Sequence, residues 1–303
     1  MLDKLKSLFG SSEPLSPLEP RRRVDLSRRF EMIEKTSQGS MSKVYRALEV
    51  ASGKIVCIKI QIPEKNESAA SRTDERPCEG EISSRIDSPF VAKTFEFGTT
   101  DKNEHYLVME YVDGLDLEQI RRTMKVGLRA KAKLISSAAE GFAAIHEAGY
   151  IHHDVNPRNI LVSKHNQLKI IDFGLAVPNL PAFHKPGNRT GALPYMAPEL
   201  IRRESTDQRI DIFALGAVAF ELLTDRLPYE SGGSSMAMML ARINQEAIDP
   251  ALANPRLSEE YCEVLRKALA KKKEDRIPSM RAFAEKLLAT QIRREEQGSS
   301  ERP

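Results

Sequence analysis

The sequence contains few cysteines, little net charge and no long apolar run. Its three cysteines, Cys57, Cys78 and Cys262, are widely spaced. That pattern indicates neither a disulfide framework nor a zinc site, and it fits a reducing, cytoplasmic setting. The formal net charge of +3 is too small to indicate nucleic acid or an anionic membrane as the main partner. The longest apolar stretch, Ile212–Leu223, is too short to cross a membrane and contains Glu221.

Both ends of the chain differ in composition from its middle. Residues 1–24 predict a flexible extension, in which a short amphipathic stretch, Met1–Phe9, precedes a Ser/Pro/Glu-rich linker. Charged residues interrupt Met1–Phe9, so it does not fit a secretory signal; a docking helix or a weak lipid contact is the alternative interpretation. The polar residues 292–303 predict a disordered tail.

The middle of the chain changes from a strand pattern to a helix pattern. Residues 25–111 contain five strand-like segments and one helix-like segment that starts at Pro77, which predict a small antiparallel sheet with one helix. Residues 112–291 carry apolar residues at helical spacing, as in Ala130–Ala148. Asp211–Thr224 is almost entirely apolar and predicts a buried central helix. The predicted class is α+β, with a sheet-based first lobe and a larger, mainly helical second lobe.

Four sequence blocks occur in order along these lobes. They are VCIK at 56–59, HHDVNPRN at 152–159, DFG at 172–174 and APE at 197–199. A lysine between apolar strand residues, as in VCIK, needs an anionic partner. In their order and spacing, the blocks resemble those of the eukaryotic-like (Hanks-type) protein kinases, and in particular bacterial serine/threonine kinases. The resemblance extends from about Phe30 to about Gln291 and implies a bilobal protein-kinase-like fold.

The resemblance implies catalytic roles for four residues. Asp154 is expected to orient the acceptor hydroxyl and to accept its proton. Lys59 is expected to hold the phosphates of ATP and to pair with Glu79 on the following helix, with Glu81 as the alternative partner. Arg158 is expected to supply positive charge beside the transferred phosphoryl group, since the residue two positions before it is an asparagine where the family usually has lysine.

ATP and Mg²⁺ are the cofactors that the resemblance implies. Asn159 and Asp172 are the expected ligands of Mg²⁺, to which both side chains offer oxygen atoms. The remaining nucleotide-binding residues are expected in the glycine-rich loop, the sheet, the segment that joins the lobes and one strand of the second lobe. They are Gly39, Val44, Cys57, Met109, Glu110, Val112 and Leu161.

Three further expectations concern the second lobe. The resemblance implies that Asp211 fixes the backbone of the catalytic loop and that Glu199 pairs with Arg276, because a buried carboxylate needs such a partner. Thr190 is the expected phosphosite, since between the DFG and APE blocks only Thr190 and Tyr195 carry side-chain hydroxyls.

The predicted function is transfer of the γ-phosphoryl group of Mg-ATP to a Ser/Thr hydroxyl of a protein substrate, autophosphorylation included. Several positions depart from the family pattern: one loop glycine remains, Gly39, while Ser83, His153 and Ala192 replace a bulky apolar residue, an arginine and a threonine. These departures leave open a nucleotide-binding pseudokinase that regulates a partner. A small-molecule kinase is a third interpretation, which the APE block argues against. The sequence does not indicate an oligomeric state.

Overall fold

The computed structural model of this protein describes residues 19–38, 42–61, 76–184, 191–230 and 233–299. Three sequence predictions lie outside those residues: the stretch Met1–Phe9, the loop residue Gly39 and the expected phosphosite Thr190. The described chain folds into two lobes, the first built on a sheet and the second mainly on helices, as the sequence predicts.

The first lobe contains a six-stranded sheet. Its strands are β1 (Arg21–Val24), β2 (Phe30–Gln38), β3 (Ser42–Glu49), β4 (Lys54–Gln61), β5 (Thr94–Thr100) and β6 (His105–Glu110). Their spatial order is β1-β5-β6-β4-β3-β2. Neighbouring strands are antiparallel except β1, which runs parallel to β5. The five predicted strands are present, and β1 is an addition to them.

The edge strand β1 corrects part of the predicted extension, since Arg21–Val24 are paired residues of the sheet. The consecutive arginines 21–23 show no apolar alternation, so they give no strand signal. An acid on β5 supplies the attraction: Glu96 lies 3.3 Å from Arg21 and accepts hydrogen bonds of 2.7 and 2.9 Å from Arg29. The strand therefore depends largely on ion pairing and main-chain pairing, and its last residue, Val24, packs against the apolar core.

Among the described residues, the first lobe also contains one α-helix, α1 (Glu79–Ser84), which packs against the sheet. Gly80 allows a close approach to β5, because a Cβ atom there would lie 2.3 Å from the Cβ of Phe97. Ile82 is fully buried. This approach also buries Glu79 in the first turn of the helix, so its carboxylate needs a cationic partner.

The second lobe is built mainly from helices. They are α2 (Leu117–Thr123), α3 (Leu128–Glu147), α4 (Pro198–Arg202), α5 (Arg209–Thr224), α6 (Ser235–Asn244), α7 (Pro250–Ala253), α8 (Glu259–Ala268) and α9 (Met280–Ser299). Short strands accompany them: β7 (Gly114–Asp116), β8 (Tyr150–Ile151), β9 (Ile160–Ser163), β10 (Leu168–Ile170) and β11 (Val177–Pro178). Strands β10, β9 and β7 form one antiparallel sheet, and β11 pairs with β8.

Helix α5 lies at the centre of this lobe, as its apolar sequence predicts. Every residue from Ile210 to Leu223 is buried, and α3, α8 and α9 contact the helix. A helix that is apolar on all sides is stable only when it is surrounded in this way. In the part of the chain that the structure describes, no helix combines the length and the apolar character that crossing a bilayer requires.

The last helix, α9, continues further than the sequence predicts. It ends at Ser299, so residues 292–299 are helical where a disordered tail is expected, and residues 300–303 lie outside the described residues. Residues 291–297 (QIRREEQ) are mainly good helix formers and contain neither proline nor glycine. Helix propensity therefore outweighs polarity at this end of the chain.

A buried ion pair joins α4 to the loop that follows α8. Glu199 accepts hydrogen bonds of 2.6 and 2.7 Å from Arg276, and both residues are buried. Arg276 also donates to the carbonyl oxygens of Ala270 and Arg209. The pair expected from the sequence is thus present, with the spare guanidinium N–H groups satisfied by backbone.

Replacing Glu199 by alanine should lower the free energy of unfolding by about 3–5 kcal/mol, because it leaves the guanidinium of Arg276 buried without its anion. Urea unfolding followed by circular dichroism measures the change. Glu230→Ala is the matched control: it removes the partner of Arg226 in an exposed pair of 3.5 Å and should cost less than about 1 kcal/mol. Equal losses for both variants would contradict a special role for the buried pair.

Candidate active site

The carboxylate of Asp211 fixes the backbone of the loop between β8 and β9. Asp211, in the first turn of α5, accepts hydrogen bonds from the backbone N–H groups of His152 (2.8 Å) and His153 (3.0 Å). The Nε2 atom of His146 lies 2.8 Å from the same carboxylate. Burial by itself would raise the pKa of Asp211, but the hydrogen bond with His146 and the smaller electrostatic contributions of the neighbouring histidines together outweigh it, and the pKa is lowered. The expected anchor of this loop is therefore in place, and it stabilises the positive φ of 65° at His153.

Asp154 presents a carboxylate that is fixed at both oxygens. Its Oδ2 accepts a hydrogen bond from the amide of Asn159 (2.9 Å), which also donates to the backbone carbonyl of Asp154 (2.9 Å). Its Oδ1 accepts from the backbone N–H of Ala192 (3.0 Å). Two separate segments of chain thus set the direction of one carboxylate that is only partly buried.

Lys59, on β4, joins the first lobe to the segment that follows β10. Its Nζ lies 2.7 Å from Oε1 of Glu79 and 2.8 Å from Oδ1 of Asp172. The alternative partner, Glu81, pairs instead with Arg85 at 2.6 Å. Burial by itself would lower the pKa of Lys59, but the charges of Glu79 and Asp172 outweigh it and the pKa is raised. The lysine is therefore a permanent cation at the end of β4.

Asp172 and Asn159 retain oxygen atoms for a cation. Oδ1 of Asp172 accepts from Lys59 and from the N–H of Gly174 (3.1 Å), whereas Oδ2 has no hydrogen bond from the described residues. Burial by itself would raise the pKa of Asp172, but the charge of Lys59 and the hydrogen bonds from Lys59 and Gly174 together outweigh it, and the pKa is lowered. Asn159 uses its amide nitrogen on Asp154, which leaves its Oδ1 for another partner. A carboxylate and an amide oxygen are donors that suit Mg²⁺.

The residues expected around an adenine ring lie on β3, β4, β6, the segment that follows β6, and β9. Met109 on β6 lies opposite Cys57 on β4 and is buried. The other members of this set that the structure describes are half-buried: Val44, Cys57, Glu110, Val112 and Leu161. Burial raises the pKa of Cys57 to about 11, so the thiol is neutral at physiological pH and forms a small apolar part of this wall.

Arg158 lies on the same loop as Asp154 but is exposed. Within the described ranges, its guanidinium forms no ion pair, so its positive charge is free to meet a ligand. Its backbone N–H donates to the side chain of Asn156 (3.0 Å), which fixes the short 3₁₀ turn Pro157–Asn159. The role expected of Arg158 stays a prediction.

Two contacts near this site are not predicted from the sequence. Arg76 donates to the carbonyl oxygens of Gly174 (2.7 Å) and Ala176 (3.1 Å), and thereby joins the chain before α1 to the segment after the DFG block. Ser83 accepts a hydrogen bond of 2.7 Å from the hydroxyl of Thr94, and both residues are buried. A polar pair thus replaces apolar packing behind α1.

The two adjacent histidines have different surroundings. The ring of His152 lies between Phe142 and Phe173, at centroid distances of 5.4 and 5.2 Å. The Nε2 atom of His153 is buried without a hydrogen-bond partner among the described residues. Burial lowers the pKa of His153 to about 4, so this ring is neutral at physiological pH.

These features define a protein-kinase-like fold. The first lobe carries a lysine–carboxylate pair, and the second lobe carries two side chains with oxygen atoms that suit a metal ion. The chain belongs to the protein kinase family: the family model described as protein kinase domain matches residues 30–288. This result agrees with the resemblance carried by the four sequence blocks.

Several bacterial relatives are similar to the chain over most of its length. The serine/threonine-protein kinase pkn3 of Myxococcus xanthus is 30% identical over 282 residues, which cover 88% of this chain and 50% of that protein. PknB of Mycolicibacterium smegmatis is 30% identical over 262 residues, or 83% of this chain and 41% of that protein. PknE of Mycobacterium tuberculosis is 31% identical over 241 residues, or 79% and 42%. The chain thus spans half the length of these curated relatives or less.

The neutral state of His153 predicts a specific loss of stability in acid. Between the pKa of about 4 in the folded state and the ordinary value of about 6.5 in the unfolded state, only the unfolded chain takes up the proton. Stability from this group is therefore present above pH 6.5 and falls as the pH drops towards 4. We expect the group to account for a loss of about 1–2 kcal/mol between pH 7 and pH 5.

Urea unfolding of His153→Asn at both pH values measures this contribution, since asparagine tolerates the positive φ and does not titrate. The loss between pH 7 and pH 5 should be smaller in this variant than in the wild type. His165→Asn, at an exposed turn, is the control and should retain the wild-type loss. If His153→Asn lost as much unfolding free energy between pH 7 and pH 5 as the wild type does, His153 would not be the group responsible.

Proposed function

We propose that this chain transfers the γ-phosphoryl group of Mg-ATP to a Ser/Thr hydroxyl of a protein substrate. One observation carries the proposal: Lys59 of the first lobe lies 2.7 Å from Glu79 and 2.8 Å from Asp172 of the second lobe. A buried cation held in this way is directed at the place where phosphates would bind. The names of the similar bacterial proteins, all serine/threonine-protein kinases, support the class of acceptor.

The side chains of the chain perform four tasks in this reaction. Lys59 binds phosphate oxygens as a localised charge. Asp172 and Asn159 would hold Mg²⁺ with their remaining oxygens, and the bound ion would supply positive charge to the phosphates. Asp154 accepts a hydrogen bond from the acceptor hydroxyl and then its proton, since each carboxylate oxygen keeps a second acceptor site beside its existing hydrogen bond. Arg158 supplies additional positive charge at the open side of the loop.

The nucleotide itself is held by the wall of the cleft. The adenine ring packs between Val44 and Cys57 on one side and Leu161 on the other, with Met109 at the back. The backbone groups of Glu110 and Val112 bind its polar edge. These are positioning and electrostatic contributions, which supply most of the catalysis of phosphoryl transfer.

The alternative function, a regulatory pseudokinase, gains no support. The residues that would touch metal, phosphate and acceptor are all present: Lys59, Asp154, Asn159 and Asp172. The replacements at Ser83 and Ala192 are compensated by contacts, a buried hydrogen bond with Thr94 and a backbone N–H on Asp154. We therefore treat these departures as variations within an active site.

Asp154→Asn should reduce phosphoryl transfer by about a hundredfold or more, because the amide cannot accept the proton of the acceptor hydroxyl. Its affinity for Mg-ATP should stay within about threefold of wild type, since the change leaves the charges that bind phosphate untouched. Transfer of label from γ-labelled ATP to a generic protein acceptor and calorimetric binding of nucleotide give the two values. Asp113→Asn, at an exposed acid that pairs with Lys164, is the control. Wild-type labelling by Asp154→Asn would refute the proposed function.

Glu79→Gln and Glu81→Gln provide a matched pair on one helix turn. Losing the charge of Glu79 frees Lys59 to move towards Asp172, and a displacement of about 1 Å costs on the order of a hundredfold in rate. We expect kcat/KM to fall by about 10- to 100-fold for Glu79→Gln, while Glu81→Gln, which loses an exposed contact with Arg85, stays near wild type. Similar losses for both variants would show that Glu79 has no special place.

A further inference from the structure

Arg242, on α6, is a buried cation without an anion. It is only 1% exposed and is the largest fully buried side chain among the described residues. In the part of the chain that the structure describes, no carboxylate forms an ion pair with it. Burying an unpaired guanidinium carries a desolvation penalty of several kcal/mol, so the contacts that retain Arg242 there need an explanation.

The partners of Arg242 are main-chain carbonyl groups and an aromatic ring. Its Nη1 donates to the carbonyl of Leu193 at 2.5 Å, and its Nη2 donates to the carbonyl of Pro194. The guanidinium lies 5.4 Å from the ring centroid of Tyr229, which stacks on Phe213 of α5. Burial lowers the pKa of Arg242 to about 10, which leaves the side chain positively charged at neutral pH.

These carbonyls belong to the 3₁₀ turn Leu193–Tyr195. The residue before this turn contacts the carboxylate of Asp154. The residue before the turn, Ala192, donates its N–H to Oδ1 of Asp154 at 3.0 Å. Gly191 lies against the catalytic loop with a φ of 98°, where a Cβ atom would be 2.6 Å from the carbonyl oxygen of His153. The position of the turn therefore sets the position of the Ala192 N–H.

We propose that Arg242 is a positioning residue for phosphoryl transfer: it clamps the turn Leu193–Tyr195 and so holds the Ala192 N–H on the carboxylate of Asp154. This inference rests on the proposed function. It also explains how the site works with alanine at a position where related kinases usually have threonine. The backbone N–H takes over the contact with Asp154, and the clamp fixes the backbone that carries it.

Arg242→Met tests the clamp, because methionine fills much of the volume and offers no donor. We expect kcat to fall by about a hundredfold, as for a displacement of about 1 Å at the reacting centre. The affinity for Mg-ATP should remain within about threefold, since the nucleotide contacts lie elsewhere. Arg202→Met is the control. Arg202 is exposed and donates at 3.3 Å to the carbonyl of Ile243, which lies on α6 next to Arg242. This variant should keep wild-type kcat.

Hydrogen exchange supplies a readout that does not depend on activity. The amide of Ala192 should be protected in the wild type and in Arg202→Met, and should exchange at least about tenfold faster in Arg242→Met, because a loss of about 1.4 kcal/mol in hydrogen bonding corresponds to a factor of ten. Mass spectrometry of a proteolytic fragment that contains residues 191–197 measures this rate. A merely structural role would lower the unfolding midpoint without a selective effect at this amide.

Arg242→Lys decides the question if the methionine variant does not fold. Its ammonium keeps the charge but lacks the planar fork that reaches two carbonyls, so kcat and Ala192 protection should be intermediate. If whichever of these two Arg242 variants folds has wild-type kcat and wild-type protection of the Ala192 amide, the proposed role of Arg242 is wrong. If the wild type itself shows no transfer that depends on Asp154, the proposed function fails, and the exchange rates still decide whether Arg242 holds Ala192.

Discussion

The contact of Lys59 with Glu79 and Asp172 is the interaction on which the rest of the site depends. It joins β4 and α1 of the first lobe to the segment after β10 in the second, at 2.7 and 2.8 Å. Because the lysine is buried, a rearrangement that removed both acids would leave an uncompensated charge. The close approach of α1 to β5 at Gly80 also contributes to this ion pair, because it fixes the position of Glu79 relative to Lys59. The two lobes are held together by the same charges that would meet a nucleotide.

Buried charges in the second lobe have a common task, which is to fix the backbone around Asp154. Asp211 binds two N–H groups of the catalytic loop. Arg242 binds two carbonyl groups of the turn that follows Ala192, and the pair of Glu199 and Arg276 anchors the helix after that turn. Each charge would be costly alone, and each is bound by main-chain groups or by an opposite charge. A flexible surface would not hold a carboxylate in one direction in this way.

The sequence predicts the pairing of Lys59 with Glu79 better than it predicts the edges of the fold. Lys59 and its partner Glu79 could be paired in advance, because a lysine on an apolar strand needs an acid and family spacing selects one. The strand Arg21–Val24 could not be predicted, since its stability comes from an acid on a distant strand. The polar composition of residues 292–299 predicts a disordered tail, whereas their helix propensity favours the continuation of α9 to Ser299. Arg242 leaves no sequence signal at all, since its partners are carbonyl groups that every residue possesses.

A crystal structure of the chain with Mg²⁺ and a non-hydrolysable ATP analogue tests the central claim most directly. We expect the metal ion to be bound by Oδ2 of Asp172 and Oδ1 of Asn159, and the Nζ of Lys59 to contact a phosphate oxygen while it keeps Glu79. The carboxylate of Asp154 should face the terminal phosphate. A nucleotide bound away from Lys59, or a metal ion that contacts neither Asp172 nor Asn159, would contradict the claim.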